Sequence, residues 1–143
     1  MPTLEGKVAI VTGGSQGIGF GIAQALAKEG AQVALVARTE SKLAEAAKAI
    51  EARGGSALPI VCDVRDREQI AACVDTTVEH FGRLDIVVNN AQIQVISELL
   101  DVSEQQVMDA FLSGAMATLN FMQLAHPHMK AAEIGRASCR ERV

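Results

Sequence analysis

The sequence predicts an α/β fold: a doubly wound parallel sheet of strand order 3-2-1-4, followed by a long helix. Three observations carry that expectation. Short apolar runs at 8–11, 32–37, 57–62 and 84–88 are rich in β-branched residues and apolar at nearly every position, as parallel strands covered on both faces should be. Amphipathic stretches at 17–29, 40–53 and 67–81 alternate with those runs. Glycines punctuate the helices, Gly30 closing the first, Gly54 and Gly55 the second and Gly82 the third.

Strand and helix in alternation predict right-handed βαβ units. In a sheet of this order the chain reverses direction beside the first strand, and a crevice opens at the carboxyl ends of strands one and four. Asp66 reads as the N-cap of the third helix, whose Ile70, Val74, Val78 and Phe81 recur at helical spacing. A further helix follows a cap at Ser103 and places Val107, Phe111, Gly114, Phe121 and Ala125 on one stripe. Met108, Met116, Met122 and Met129 crowd the same helix, which reads as core or subunit contact rather than as a cofactor site.

The 143 residues make room for one domain, 49% of them are hydrophobic, and the formal net charge is −4. Without a basic excess, nucleic acid and anionic membrane are not expected partners. No apolar run approaches the roughly 20 residues of a spanning helix, and Met1 to Glu5 lacks a basic region followed by an apolar one, so the expected compartment is the cytoplasm. Cys62, Cys73 and Cys139 lack metal-ligand spacing and read as buried thiols. His80, His126 and His128 are scattered or flank Pro127, and no metal site is expected of them.

The chemistry concentrates in Thr12-Gly13-Gly14-Ser15-Gln16-Gly17-Ile18-Gly19, set between the first strand and the first helix. A glycine-rich turn there presents bare backbone N–H groups at a helix N-terminus, a natural seat for a pyrophosphate. The same turn also suits a tight strand-to-helix junction that binds nothing. Asn89-Asn90-Ala91 falls at the end of the fourth strand, so two motifs converge on one crevice and favour a nucleotide.

With these motifs in order, the chain from Leu4 to Ala132 resembles the short-chain dehydrogenase/reductases. Thr12 to Gly19 is similar to that family's Thr-Gly-x-x-x-Gly-x-Gly cofactor motif, and Asn89-Asn90-Ala91 to its Asn-Asn-Ala-Gly. Cys62-Asp63-Val64 resembles its Asp-Val, whose acid accepts a hydrogen bond from the adenine amino group. The resemblance implies a cofactor site made of Gly13, Ser15, Gln16, Gly17, Ile18 and Gly19 in the turn, Asp63 and Val64 after the third strand, and Asn90 and Ala91 after the fourth.

Arg38 and Thr39 complete that site and bear on the choice of cofactor. A sheet of this type places an acid for a ribose 2′-OH, or an Arg for a 2′-phosphate, at the end of the second strand. Ala37 stands where NAD-binding relatives tend to have Asp, and Arg38 follows, so NADP is favoured over NAD. Arg38 also reads as a solvated charge at a strand end, and Gln16 occupies a place where NADP-binding relatives often carry a basic residue.

Two departures from the family pattern lie inside the matched region. Gln92 replaces the final glycine of Asn-Asn-Ala-Gly. Phe111-Leu112-Ser113-Gly114 stands where the family has Asn-x-x-Gly, so the Asn that supports a proton-relay water is missing, with Ser113 or Asn120 as candidate substitutes. The family's catalytic Ser and Tyr-x-x-x-Lys have no counterpart, for the chain contains no Tyr. Residues 133–143 resemble the in-frame translation of a sequencing-library adapter and are expected to be non-native, which leaves residues 1–132 as a partial, Rossmann-like NAD(P)-binding domain.

The implied function is that of a full-length parent, an NAD(P)-dependent oxidoreductase interconverting carbonyl and alcohol on a small molecule, expected to be a homo-oligomer. The alternative for the chain as it stands is an inactive nucleotide-binding module or an unstable fragment, because ending near residue 132 would leave the strand at 84–88 as an apolar sheet edge.

Overall fold

The computed structural model describes residues 3–132, so the expectation of a non-native segment at 133–143 lies outside the described residues. Its central strand, β1 (Val8–Thr12), is buried at all 5 positions. Successive side chains on a strand point to opposite faces, so an unbroken apolar run serves two cores at once. Val8 and Ile10 join Ala34 and Val36 of β2 (Gln32–Ala37) in one core, beneath α3 (Arg67–Phe81) and α5 (Ala117–Ala131). Val11 joins Val33 and Leu35 in the other, beneath α1 (Gly17–Lys28) and α2 (Glu40–Glu51).

With β3 (Ser56–Val61) and β4 (Ile86–Val88), these strands form a parallel sheet of order β3-β2-β1-β4, the order expected. Thr12 pairs with Val36 on one side of β1, and Val11 pairs with Val88 on the other. The connections leaving β1 and β4 therefore go to opposite sides of the sheet and open the crevice between them. β3 departs from the expectation of a strand covered on both faces: it is only partly buried, because it lies at a sheet edge. Pro59 sits within it, and an edge strand admits a residue without an N–H.

Helix ends follow the local code. Asp66 Oδ1 accepts the backbone N–H groups of Glu68 at 2.9 Å and Gln69 at 3.3 Å, and Gly82 ends α3 in the left-handed region with φ 83°. Ser103 opens α4 (Glu104–Phe111) with a reciprocal box: its Oγ accepts from Gln106 N, and Gln106 Oε1 accepts from Ser103 N at 2.8 Å. No helix among the described residues is long and apolar enough to cross a membrane.

The single stripe expected on the last helical run does not form. A π turn, Leu112–Met116, joins α4 to α5. Phe121 and Ala125 are fully buried, whereas Val107 is 55% and Phe111 50% exposed. A π turn inserts a residue into the α period and rotates the following face by about 100°. The residues before it and after it consequently cannot share one buried face.

Asp85 has a role that sequence reasoning missed. Placed just before β4 and only 3% exposed, its carboxylate accepts from Val8 N at 2.8 Å and from the Arg83 guanidinium at 2.8 and 2.7 Å. Its own N–H donates to Val8 O at 2.9 Å, so one residue ties the start of β1 to the approach of β4. Asp85→Ala would strand the buried Val8 N–H and remove the acceptor for Arg83, an expected loss of about 3 kcal/mol in urea unfolding. An unchanged unfolding midpoint would contradict this assignment.

Candidate functional site

A cleft of about 620 Å³ opens at the carboxyl ends of the strands. The turn after β1 contributes Gly13, Ser15, Gln16, Gly17, Ile18 and Gly19 to its lining, β2 is followed by Arg38 and Thr39, β3 by Asp63 and Val64, and β4 by Asn90 and Ala91. Residues singled out in four separate stretches of sequence thus meet in one place.

The floor of the cleft is a close approach of two backbone segments. Gly13 has φ 66°, and a Cβ built on it would come within 2.8 Å of Asn90 Nδ2. A Cβ on Gly19 would collide with the carbonyl oxygen of Gly13 and come within 2.5 Å of the same Asn90 nitrogen. Thr12, only 2% exposed, fastens the segments together. Its hydroxyl accepts the N–H groups of Asn90 and Ala91, each at 2.9 Å, and donates to Val88 O at 3.3 Å. Asn90 Nδ2 returns a bond to Thr12 O at 3.1 Å. Read from sequence, Thr12 had no role beyond opening the motif; its partners lie 76 to 79 residues away.

The N-terminus of α1 faces this floor and differs from its neighbours. Gln16 at its N-cap is extended and makes no side-chain cap bond, and no acidic residue lies in the first turn. By contrast α2, α3 and α4 each carry a glutamate there. The first N–H groups of α1 are left with no side-chain acceptor and the end of its dipole with no local counter-charge, which suits an anion. Glycines that clear the approach and an uncompensated helix end fit the pyrophosphate of a dinucleotide.

Asp63 is held firmly. Arg65 donates to it from the backbone N at 3.0 Å, from Nε at 3.1 and 3.2 Å, and from Nη2 at 2.7 Å, and reaches Asp109 of α4 through Nη1 at 3.0 Å. These side-chain bonds from Arg65 are the main reason that the Asp63 carboxyl lies below the usual carboxylate range, and Asp63 in turn pushes the Arg65 guanidinium up. Cys62 and Cys73 are free and buried, and a bond from the Cys73 thiol lowers the Cys62 pKa while raising that of Cys73. Cys139 lies outside the described residues.

The two candidate substitutes for the missing Asn separate. Ser113, in the π turn, lines the cleft; its Oγ accepts the Ile93 N–H at 2.9 Å and donates to Ala110 O at 3.3 Å. Asn120 does not line the cleft. It is buried on α5 with its carbonyl oxygen bonded to Arg67 of α3, because α3 and α5 pack together on that side of the sheet. Gln92 extends toward the π turn, where a Cβ on Gly114 would lie 3.5 Å from its Nε2. Lys42 of α2 also lines the cleft, donating from Nζ to Gln16 Oε1 at 2.9 Å; no local signal in the sequence pointed to it.

Comparison with known proteins agrees with this geometry. The family model described as short chain dehydrogenase matches residues 7–137. Among curated proteins, a ketoacyl reductase of Nostoc is 37% identical over 136 residues, covering 95% of this chain and 47% of that protein. Among solved structures, the L-sorbose reductase of Gluconobacter frateurii complexed with NADPH and L-sorbose superposes with TM-score 0.86 at 34% identity, covering 92% of this chain and 51% of that one. A short chain dehydrogenase of Burkholderia cenocepacia in complex with NADP gives TM-score 0.84 at 37% identity, covering 88% and 52%. The chain spans about half the length of the relatives it matches.

Two outcomes follow from the site's bonding. Thr12→Val keeps the shape of the side chain but leaves the Asn90 and Ala91 N–H groups without their acceptor, for an expected loss of about 2 kcal/mol. Hydrogen exchange at those two amides should accelerate beyond the global change, and uniform acceleration would contradict the role given to Thr12. Because the folded-state pKa of Asp63 is lowered, its stabilising contribution is present above the ordinary aspartate range of about 4 and is lost as pH falls through the lowered value. Arg65→Ala should flatten that acidic limb of the stability curve, as followed by denaturation at stepped pH.

Proposed function

The chain belongs to the short chain dehydrogenase family, and from that premise we propose that its cleft holds a nicotinamide adenine dinucleotide, NADP in preference to NAD. The observation that carries the reading is the convergence of the glycine floor, the uncompensated α1 N-terminus and Arg38 on one cleft. In this reading the N–H groups from Ser15 to Gly19 receive the pyrophosphate, Arg38 and Thr39 the 2′-phosphate, and Asp63 and Val64 the adenine. Asn90 and Ala91 form the wall that leads to Gln92. The NADPH and NADP named for two solved relatives support the same choice.

Such a cofactor supplies or accepts a hydride, which makes the whole protein an oxidoreductase that interconverts a carbonyl and an alcohol on a small molecule. What this chain's own residues do is bind and orient. Thr12 and Asn90 hold the floor still, Arg65 keeps Asp63 ionised and fixed, and Ser113 anchors the Ile93 backbone beside the cleft.

Calorimetric titration with NADP⁺ and NAD⁺, which differ only in the 2′-phosphate, tests the cofactor choice. NADP⁺ should bind about tenfold more tightly or better, a difference of about 1.4 kcal/mol, and Arg38→Ala should erase most of that gap. Tighter binding of NAD⁺, with a preference unchanged by Arg38→Ala, would overturn the reading.

A further inference from the structure

We infer that Lys42 is a second cation for the 2′-phosphate and that Gln16 is the residue that holds it at the rim, an inference that rests on the NADP reading above. The resemblance to the family implies that NADP-binding relatives often carry a basic residue at the place of Gln16, whose side chain is uncharged. The structure places a charge there by another route: Lys42 Nζ, from α2, donates to Gln16 Oε1 at 2.9 Å across 26 residues of sequence. Both side chains are exposed and line the same cleft as Arg38.

The pairing decides which groups the rim can offer. An amide has one oxygen, and here it accepts from Lys42, so the outward donors of Gln16 are its two amide N–H bonds. The ammonium keeps two donors after bonding Gln16, and the Arg38 guanidinium has only donors. Among the described residues neither Lys42 nor Arg38 is in an ion pair. Among the described residues Asp63 is the one carboxylate that lines the cleft, and Arg65 already meets its charge; Glu40, two residues from Arg38 and Lys42, does not line it. A rim of donors with two unmatched positive charges suits a phosphate dianion. It suits a ribose 2′-OH poorly, since that hydroxyl is best recognised by a carboxylate acceptor.

The test uses the full chain with adenosine 2′,5′-bisphosphate and 5′-AMP, which differ only in the 2′-phosphate. In the unmutated protein the bisphosphate should bind more tightly, by a ratio that shrinks as salt is raised. Lys42→Gln should weaken the bisphosphate by roughly five- to tenfold and leave 5′-AMP within about twofold, whereas Lys42→Arg keeps the ratio. Gln16→Lys added to Lys42→Gln should restore it, because the charge returns to the same rim from the turn. A ratio unchanged in Lys42→Gln, or equal weakening of both ligands, would overturn the inference. If Arg38→Ala removes the ratio and Lys42→Gln does not, this inference alone falls; if the unmutated chain binds both ligands equally, the NADP reading falls with it.

Discussion

Everything in the cleft depends on one approach of backbone to backbone, where the glycine turn after β1 lies against the segment leaving β4. The Thr12 hydroxyl is saturated there, accepting two N–H bonds and donating its own proton to Val88 O. A hydroxyl in that state has no freedom to rotate toward another partner. The missing side chains at Gly13 and Gly19 are the other half of the same constraint, for a Cβ at either would push Asn90 away. The floor is therefore set by part-buried bonds and close contact, while the rim consists of exposed side chains. Fixed geometry below and adjustable charge above are what a site needs to recognise a common scaffold and still discriminate between its variants.

The opposite wall is fastened to a single helical run. Arg65 carries the turn after β3 to Asp109 on α4, and Ser113 in the π turn holds the Ile93 backbone after β4. Both loops at the cleft are thus bonded to α4 and the π turn, so a shift in that run would be felt at Asp63 and at Ile93 together. The rotation of face at the π turn serves this arrangement. It turns Phe121 and Ala125 into the core, leaves Val107 and Phe111 outside, and brings Ser113 to the cleft.

The alternation of strands and helices was legible because its signals are local: β-branched runs, a helical period, and glycines or an Asp at the helix ends. The contiguous motifs at 12–19 and 89–91 were legible for the same reason. What escaped are partnerships across the fold, Asp85 with Val8 over 77 residues, Arg65 with Asp109 over 44, and Lys42 with Gln16 over 26. A charged residue in isolation reads as a solvated one, and only the topology reveals its partner. Asp85 did leave a trace, as a carboxylate inside the apolar run at 84–88, and Pro59 left another, as a residue at odds with a central strand. The π turn left none, since Leu112 to Met116 continues a helical pattern without a break.

The distribution of charge shows why the two ends of the cleft should do different work. The whole chain carries a net charge of −4, so a polyanionic ligand meets no general attraction and must be drawn by local features. At the floor that feature is the α1 N-terminus, a partial charge of about half a unit in oriented backbone groups, close to the bonds between Thr12 and Asn90. At the rim it is Arg38 and Lys42, whole charges on exposed stems and therefore open to screening by salt. On the proposed reading, the floor acts on the pyrophosphate that NAD and NADP share, and the rim acts on the one phosphate in which they differ. Affinity for the shared part then rests on backbone groups held in fixed positions, whereas preference between the two rests on mobile surface charge and weakens as salt is raised.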